Sequence, residues 1–506
     1  MKGAGDHQIH AKPPKAVCPD GDGQGPLCVR ALQKKQAKIQ KEIAKLEKEK
    51  AKPRKGGYLL FLILIICIVY VTDEIASQIQ SLMKTEIAQD LFAPIFGDSS
   101  IAKLDLLSII AFPFQGLSLV YKPLSDRYGR KTFLIINTLG MGIGLFFIFL
   151  SNNIPLYIVG AVIISFFVPH DMQVVYVTES APPKHRAKIF SFVKCVSTLG
   201  LMLIPLLRRT LMSDASEWRM VYLIPALLGI AASLIALMSL RETDAFIESR
   251  LRYLRMSDEE READKHSGNS SNAQGGLVAA FRFVSKHKQL RWLYGSIAFA
   301  TVGVLITMQY QPIITYGYAQ AFLEQGLYEN LDAALNAVSV GAVTSALFMF
   351  PVGSGLIQLS HGFISDKFGR KAALVSMAVA TLVSLVVFSF GAENAWNPYV
   401  VGFFSGVCIG SFWSSTDINC LMVGESSPTN LRSSIVSLQM FALGIGYVVT
   451  YLVGVPLINH FGNSSIPIVS LGLALPSLIV SLIIIIFKVK ETKGTNLETV
   501  TGNEWD

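Results

Sequence analysis

Charged side chains inside long apolar runs are the residues of this chain most able to do chemistry. Asp171, Lys194 and Asp417 each lie in such a run. A charge within a hydrocarbon layer is costly and usually serves to move an ion, a proton or a polar solute. No Ser/His/Asp set, HExxH motif or Cys/His metal spacing accompanies these residues. The pattern therefore predicts proton handling or solute binding, and it argues against an enzyme or a metal site.

The spacing of these residues predicts which of them can pair. Asp171 lies eight residues before Glu179, and Lys194 lies eight residues after an arginine on the following run. On antiparallel helices these equal steps place both side chains about 12 Å from the turn, where they can form an ion pair. Asp417 corresponds to Asp171, but Met440 stands where Lys194 would. We therefore expect Asp417 to be a buried carboxylate without that partner, which could take up and release a proton or face a cationic solute.

Two further acids, Asp73 and Glu74, lie about sixteen residues into the first apolar run. The run either ends near Thr72, leaving the acids on its rim, or continues through the apolar residues that follow and places them at membrane depth; we expect the second. Other polar candidates for a solute pathway lie on later runs: Gln115, Gln309, Tyr310, Gln311 and Asn419.

Two segments of the chain recur at fixed offsets. SDRYGRK at 125–131 is repeated as SDKFGRK at 365–371, and the segment 171–192 is repeated without a gap at 417–438. Two such matches at corresponding places indicate a parallel duplication. The repeated polar residues are Asp126, Gly129, Arg130, Lys131, Glu179 and Arg186 in the first copy, and Asp366, Gly369, Arg370, Lys371, Glu425 and Arg432 in the second.

The elements that must position these residues are membrane helices. The chain is 51% hydrophobic and 16% charged, with a mean hydropathy of +0.46, and about 20 apolar residues span a bilayer as a helix. The runs predict an all-α membrane protein with twelve transmembrane helices in two six-helix halves. The predicted spans are 57–80, 104–123, 132–150, 154–178, 188–207, 218–240, 291–316, 339–363, 372–391, 398–423, 433–456 and 465–488.

Charge in the loops predicts the orientation and the division of the chain. Lys and Arg collect in alternate loops, and such loops stay cytoplasmic, so we expect a multi-pass protein of the cell (inner) membrane with both termini cytoplasmic. The expected divisions are a cytoplasmic tail at 1–56, a first half at 57–240, a cytoplasmic connector at 241–290, a second half at 291–488 and a cytoplasmic tail at 489–506. The net charge of +8 fits this bias and predicts no nucleic-acid partner.

The N-terminal tail carries a heptad pattern among many Lys and Glu residues. Leu32, Ile39 and Leu46 repeat by seven, as do Val29 and Ile43 around Gln36. Three interpretations stay open: a short coiled coil, a basic helix on anionic lipid, or a solvated helix.

The doubled D-[RK]-x-G-R-K loop resembles the signature of the major facilitator superfamily. The E-x-x-P-x-x-x-R runs at 179–186 and 425–432, RET at 241–243 and ETKG at 491–494 resemble its sugar-porter and metabolite-symporter branches. The resemblance covers about residues 57–500. It implies the major facilitator fold, and it implies that the loop charges latch the halves together on the cytoplasmic side when the pathway faces outward. The alternative is that these charges only anchor the topology.

The resemblance also implies a secondary transporter that works by alternating access. We expect proton-coupled symport of a small polar solute, such as a sugar or organic acid, with the solute, the proton and the lipid bilayer as partners. No nucleotide-binding loop of the form G-x-x-x-x-G-K-[ST] is present, so the gradient supplies the energy and no cofactor is expected.

Two other functions remain open. A drug/proton antiporter of the same fold is less favoured because the fifth span reads LGLMLIPLLRR and lacks the glycine–proline motif of that branch. A non-transporting solute sensor would signal through the N-terminal tail.

Overall fold

The computed structural model describes residues 26–51, 58–116, 121, 124–125, 128–168, 172–180, 186–256, 273–428 and 432–494. Within these residues all regular secondary structure is helical. The expected all-α architecture is therefore confirmed.

The first part of the chain forms a tail helix, the membrane helices and one connector helix. Residues 58–239 are called the N-terminal half below. The helices are α1 Pro26–Lys50, α2 Tyr58–Leu82, α3 Lys84–Ile87, α4 Ala93–Phe96, α5 Ser100–Gly116, α6 Arg130–Phe149, α7 Ile154–Phe167, α8 Met172–Ser180, α9 Arg186–Gly200, α10 Leu203–Leu211, α11 Arg219–Ser239 and α12 Asp244–Arg255.

The second part repeats this arrangement, and residues 288–488 are called the C-terminal half. The helices are α13 Ala273–Lys286, α14 Lys288–Ala300, α15 Val304–Glu324, α16 Leu331–Val338, α17 Thr344–Phe368, α18 Arg370–Glu393, α19 Pro398–Glu425, α20 Arg432–Val449, α21 Val455–Phe461 and α22 Ile466–Lys488.

Eight helical stretches within the described residues are long and apolar enough to cross a membrane. They correspond to the predicted spans one, three, six, seven, eight, nine, eleven and twelve. The tenth predicted span lies on α19, the second on the 17-residue α5, the fourth on α7 and α8, and the fifth on α9 and α10. Large apolar side chains such as Leu60, Ile468 and Phe487 are exposed on the outside, as expected for helices that face lipid.

Several helices run past the predicted span ends. α2 continues to Leu82, so Asp73 and Glu74 lie inside a helix and not at its rim. The fifth span was predicted to stop at 207, but α10 continues to Leu211 and buries Arg208. Hydropathy places a span end at the first charge, whereas a buried partner allows the helix to continue through it.

The tail helix α1 packs on the connector helix α12. Leu46 is buried in one cluster with Ile247, Leu251 and Leu254, and Ile39 and Ile43 pack against that cluster. The heptad face thus finds its apolar partner within the chain, so the solvated-helix interpretation is wrong.

Three ion pairs flank this contact. Arg250 Nε lies 2.9 Å from Glu42, Arg255 Nη2 lies 2.7 Å from Glu47, and Lys50 Nζ lies 2.9 Å from Glu248. Ion pairs at a protein surface contribute little singly, and only the Arg250–Glu42 pair is partly buried, so the apolar cluster supplies most of the docking energy.

Candidate functional site

Two buried ion pairs lie where the halves meet, and the first joins Lys84 to Asp105. Both side chains are almost fully buried. Each also bonds to the opposite half: Lys84 Nζ donates to the Met308 carbonyl at 2.7 Å, and Gln309 Nε2 donates to Asp105 at 2.5 Å. The backbone carbonyl and the amide satisfy charges that would otherwise be costly in the interior.

The second ion pair joins Glu86 to Arg208 at 2.6 Å, and neither side chain is exposed. The guanidinium also donates to the Ser339 carbonyl at 2.9 Å and to Thr344 Oγ1 at 3.1 Å. Gln311 Nε2 donates to the Glu86 carboxylate at 3.2 Å. The planar fork of arginine suits this arrangement because it offers several donors in fixed directions.

Further hydrogen bonds between the halves lie at the same end of the bundle. Asn336 Nδ2 donates to Asp214 at 2.8 Å, and Asn463 Nδ2 donates to Ser100 Oγ at 2.9 Å. We call this end, formed by residues 82–105, 208–215, 308–344 and 463, the sealed end.

The opposite end, called the motif end, carries the repeated loops with Gly129 and Gly369. Both glycines have positive φ, +113° and +107°, and precede α6 and α18. A Cβ atom on either would lie 2.3 Å from a carboxylate oxygen, of Glu242 or Glu491 respectively. Glycine is therefore required at both positions for two reasons: the positive φ, and the carboxylate that occupies the place of a side chain.

Those two carboxylates cap helices in the same way in each half. Glu242 accepts hydrogen bonds from the backbone N–H groups of Arg130 and Lys131 at 3.0 and 3.1 Å. Glu491 accepts from those of Arg370 and Lys371 at 2.8 and 3.0 Å. Negative charge at a helix N-terminus is stabilising.

The repeated arginines bind the repeated glutamates within their own halves. Arg130 Nε lies 3.1 Å from Glu179, and Arg370 Nε lies 3.3 Å from Glu425. Thr243 and Thr492 donate to the other oxygen of the same two carboxylates, at 2.6 and 2.5 Å. Arg370 also pairs with Asp366 at 3.0 Å.

The remaining loop residues are described only in part. Lys131 Nζ donates to the Leu237 carbonyl and Lys371 Nζ to the Ile486 carbonyl. Asp126 and the side chains of Arg186 and Arg432 lie outside the described residues. The contacts of Arg130, Lys131, Arg370 and Lys371 described above each stay within one half and the segment that follows it, and a latch between the halves remains a prediction.

The expected Asp171–Lys194 pair cannot be followed, because Asp171 lies outside the described residues. Lys194 on α9 is exposed, and so is Asp417 on α19. Lys194 and His361 both act electrostatically on the Asp417 carboxylate. Asp417 is thus exposed and not buried as expected, and although Met440 leaves the second half without an equivalent lysine, Lys194 of the first half acts on the carboxylate instead. The sequence comparison looked for a partner of Asp417 only within the C-terminal half. Lys194 acts on Asp417 from the N-terminal half.

Lys194 and Asp417 are exposed and interact electrostatically from opposite halves, and we call the region between them the cleft. The half-buried His361 also acts on Asp417 there. The bundle is therefore held closed at the sealed end, whereas the charged side chains of the cleft are exposed.

A second polar region lies in the N-terminal half. Asp73 is buried and accepts a hydrogen bond from Gln173 Nε2 at 2.8 Å, and Glu74 is half-buried beside it. One and two turns further along α2, Ser77 and Gln80 line a cavity of about 170 Å³. Its other polar lining residues are Tyr157 and Ser165.

Of the other predicted residues, Tyr310 and Asn419 have structural partners. Tyr310 is fully buried and stacks on Phe350 at 4.9 Å. Asn419 is buried and donates to Ser296 Oγ at 3.0 Å. Gln115 lies on α5, with its side chain outside the described part. Gln309 and Gln311 belong to the sealed end and not to the cleft.

The sequence analysis missed Lys84, Glu86, Asp105 and Arg208. Three of them lie just beyond predicted span ends, where charges are ordinary. Asp105 lay inside the predicted second span, so the rule that singled out Asp171 and Asp417 would have found it. Within the described residues, no group of three or more His, Cys, Asp or Glu side chains could hold a metal ion.

Comparison with known proteins agrees with this architecture. The family model described as Major Facilitator Superfamily matches residues 62–353 and 319–503. The chain is 24% identical over 395 residues to a Bacillus subtilis protein, YwtG, provisionally named a metabolite transport protein, covering 74% of this chain and 81% of that one. It is 22% identical over 397 residues to the glucose transporter GlcP of Staphylococcus epidermidis, covering 75% and 83%.

A solved structure shows the same fold. The crystal structure of a D-xylose-proton symporter superposes with a TM-score of 0.57 at 17% identity, covering 87% of this chain and all of that one. Together with the doubled loop signature and the two-half arrangement, these matches show that the chain belongs to the major facilitator superfamily, as a multi-pass membrane transporter that resembles the sugar-porter branch.

Proposed function

We propose that this transporter is a proton-coupled symporter of a small polar solute that works by alternating access. The observation that carries the proposal is the contrast between its two ends. At the sealed end, two buried ion pairs of the N-terminal half are hydrogen-bonded to the C-terminal half, whereas Lys194 and Asp417 are exposed and interact electrostatically across the cleft. A pathway closed on one side and open on the other is what alternating access requires.

The orientation follows from charge. The lysine- and arginine-rich turns belong to the motif end, and such loops stay cytoplasmic. We therefore place both termini in the cytoplasm of a cell, or inner, membrane, with the cleft open to the cytoplasm. In the opposite state the motif clusters would close against each other and act as the latch.

Asp417 is the proposed proton carrier. The charge of Lys194 stabilises the ionised carboxylate, and separation of the two side chains during rocking removes that stabilisation. The ammonium of Lys194 thus links the protonation of Asp417 to the distance between the halves. The proton moves with the solute because both change the same equilibrium.

The proposed solute is a sugar or a similarly polar metabolite. The relatives named above support this class, and so does the cavity beside α2. Hydroxyl and amide groups of Ser77, Gln80, Tyr157 and Ser165 line it, and such groups in a largely apolar wall fix the orientation of a polyhydroxylated solute by hydrogen bonds.

The test uses purified protein in vesicles with an imposed pH gradient and a panel of labelled sugars and organic acids. We expect Asp417→Asn to abolish proton-driven accumulation while it preserves exchange of solute across the membrane. Asp417→Glu, which keeps a carboxylate at the same position, serves as the matched control. Accumulation by Asp417→Asn at the wild-type rate would remove its coupling role.

A double variant tests the role of Lys194. We expect Lys194→Met to impair accumulation because Asp417 loses its partner, and we expect Lys194→Met with Asp417→Asn to recover exchange to near the level of Asp417→Asn alone. Additive loss of exchange in the double variant would contradict the pairing.

A further inference from the structure

The helix α1 carries a stripe of five lysines on one face. Their spacing alternates between four and three residues, which keeps successive side chains within about 40° of one line along an α-helix. All five are exposed: Lys34, Lys38, Lys41, Lys45 and Lys48. Within the described part of the chain none of them forms an ion pair.

Packing fixes the direction in which this stripe points. The apolar residues Ile39, Ile43 and Leu46 face α12, and they lie roughly opposite the lysines on the helix circumference. The acidic residues Glu42 and Glu47 bond to Arg250 and Arg255 of α12. The acidic side chains Glu42 and Glu47 thus form ion pairs with α12, whereas the lysines lie on the face of α1 that points away from α12.

The helix pair lies at the motif end of the bundle. Glu49 Oε1 accepts a hydrogen bond from the backbone N–H of Glu242 at 3.3 Å, and Glu242 caps the first turn of α6. Only seven residues separate Lys50 from the start of α2 at Tyr58, and Lys52, Arg54 and Lys55 are among them. The stripe is therefore close to where two membrane helices emerge from the bilayer.

The two contact faces of the connector helix α12 place α1 beside α12 on the surface of the bundle. Phe246 of α12 faces the bundle, next to Gly129, whereas Ile247, Leu251 and Leu254 face α1. These two faces are about 100° apart on a helix. Long lysine side chains on α1 can then reach headgroups at the rim of the bundle.

We propose that the lysine stripe of α1 binds the anionic phospholipid headgroups of the leaflet at the motif end. Clusters of four to eight basic residues beside a membrane helix are attracted to anionic lipid, and the attraction grows with each charge. The stripe then holds the α1–α12 pair flat on the membrane. Because Glu49 touches the segment that caps α6, this binding also steadies the Gly129 turn.

Lysine acetylation tests the proposal one residue at a time. Full-length protein is placed in nanodiscs of phosphatidylcholine alone, or of phosphatidylcholine mixed with phosphatidylglycerol, and the acetylation rate of each lysine is measured by mass spectrometry. We expect the five stripe lysines to react at least about threefold more slowly in the anionic bilayer, and we expect high salt to remove the difference. Lys286, exposed on α13, serves as the internal control.

Two variants separate charge from folding. Replacing the five lysines by glutamine should abolish the anionic-lipid protection of α1 against hydrogen exchange, whereas replacing them by arginine should preserve it. Equal acetylation in the two bilayers, or a slowing no larger than that of Lys286, would overturn the proposal. So would protection by soluble polyglutamate in neutral nanodiscs without protection by phosphatidylglycerol, since the stripe would then belong to an acidic protein partner.

Discussion

At the scale of single residues, the Glu86–Arg208 pair is the most costly contact to break. Neither side chain is exposed, and loss of one partner of a buried pair typically costs about 3–5 kcal/mol because the other charge is left uncompensated. The guanidinium would keep its bonds to Ser339 and Thr344, which satisfy its donors but not its charge.

We therefore expect Arg208→Met to lower the free energy of unfolding by about 3–5 kcal/mol. The double variant Arg208→Met with Glu86→Gln should lose less, because no unpaired charge remains. Thermal unfolding in detergent measures both. Arg209→Met, at the exposed neighbour, is the matched control, and a double variant less stable than Arg208→Met would show that charge pairing is not the cause.

Some of these residues could be predicted and others could not. Asp73 and Asp417 stand out in the sequence because they interrupt apolar runs. Glu86 and Arg208 do not, since each follows a predicted span end and their contact joins residues 122 positions apart. One sequence gives no sign of which helix faces meet across such a distance.

At the scale of elements, the repeated glycine turns hold two carboxylates with opposite acid–base behaviour. Burial raises the pKa of Glu242, and backbone N–H donors only partly offset it, while Glu49 adds repulsion. Burial also acts to raise the pKa of Glu491, but four backbone N–H donors outweigh it and the pKa lies below its ordinary value of 4.5.

These directions predict opposite pH dependences. The stabilisation from Glu491 is present above pH 4.5 and is lost as the pH falls through the lowered pKa. The stabilisation from Glu242 is fully present below pH 4.5 and is lost as the pH rises through the raised pKa of Glu242. Compared with the wild type, Glu491→Gln should therefore be less stable at neutral pH, with a difference that shrinks in acid.

Glu242→Gln is the matched comparison in the other half. Its stability relative to the wild type should improve as the pH rises from acid to neutral, because glutamine resembles the protonated side chain. Thermal unfolding across the pH range measures both variants. Parallel pH profiles for the two substitutions would contradict the assigned environments.

The turns themselves were predictable, but their partners were only partly so. The doubled GRK motif with its offset of 240 predicted a duplicated loop at corresponding places of the two halves. The ET pairs at 242–243 and 491–492 were noticed only as part of a family resemblance. Their docking joins Glu242 to Arg130, 112 residues away, and Glu491 to Arg370, 121 away. No local pattern specifies a contact of that separation.

At the scale of the whole molecule, the halves must separate at the sealed end for the pathway to open there. Asp214 and Asn336 bond across that junction at 2.8 Å. We expect a disulfide between Asp214→Cys and Asn336→Cys, made in a background without the native cysteines, to stop transport. Reduction should restore it. The single variants are the controls, and full transport by the cross-linked protein would show that this end need not open.

The overall class and the duplication followed from hydropathy and repeated motifs, because both are written in local sequence. Which side of the membrane the pathway opens to could not be predicted from the sequence. States that open to either side bury the same apolar runs, so they share one hydropathy pattern. Which end is sealed depends on contacts such as Lys84 to Met308, 224 residues apart.

The two capping glutamates have a mechanical consequence for the transport cycle. Glu242, which follows α11, is hydrogen-bonded to the start of α6, and Glu491, which follows α22, is hydrogen-bonded to the start of α18. These hydrogen bonds couple α11 to α6 and α22 to α18, so each pair of helices moves as one rigid unit. Bending strain must then collect at weaker points in the inner helices, such as the turn at 201–202 and the tight segment Thr301–Gly303. A solute that draws the two halves together would bend the chain at these hinges and leave the α6–α11 and α18–α22 pairs unchanged.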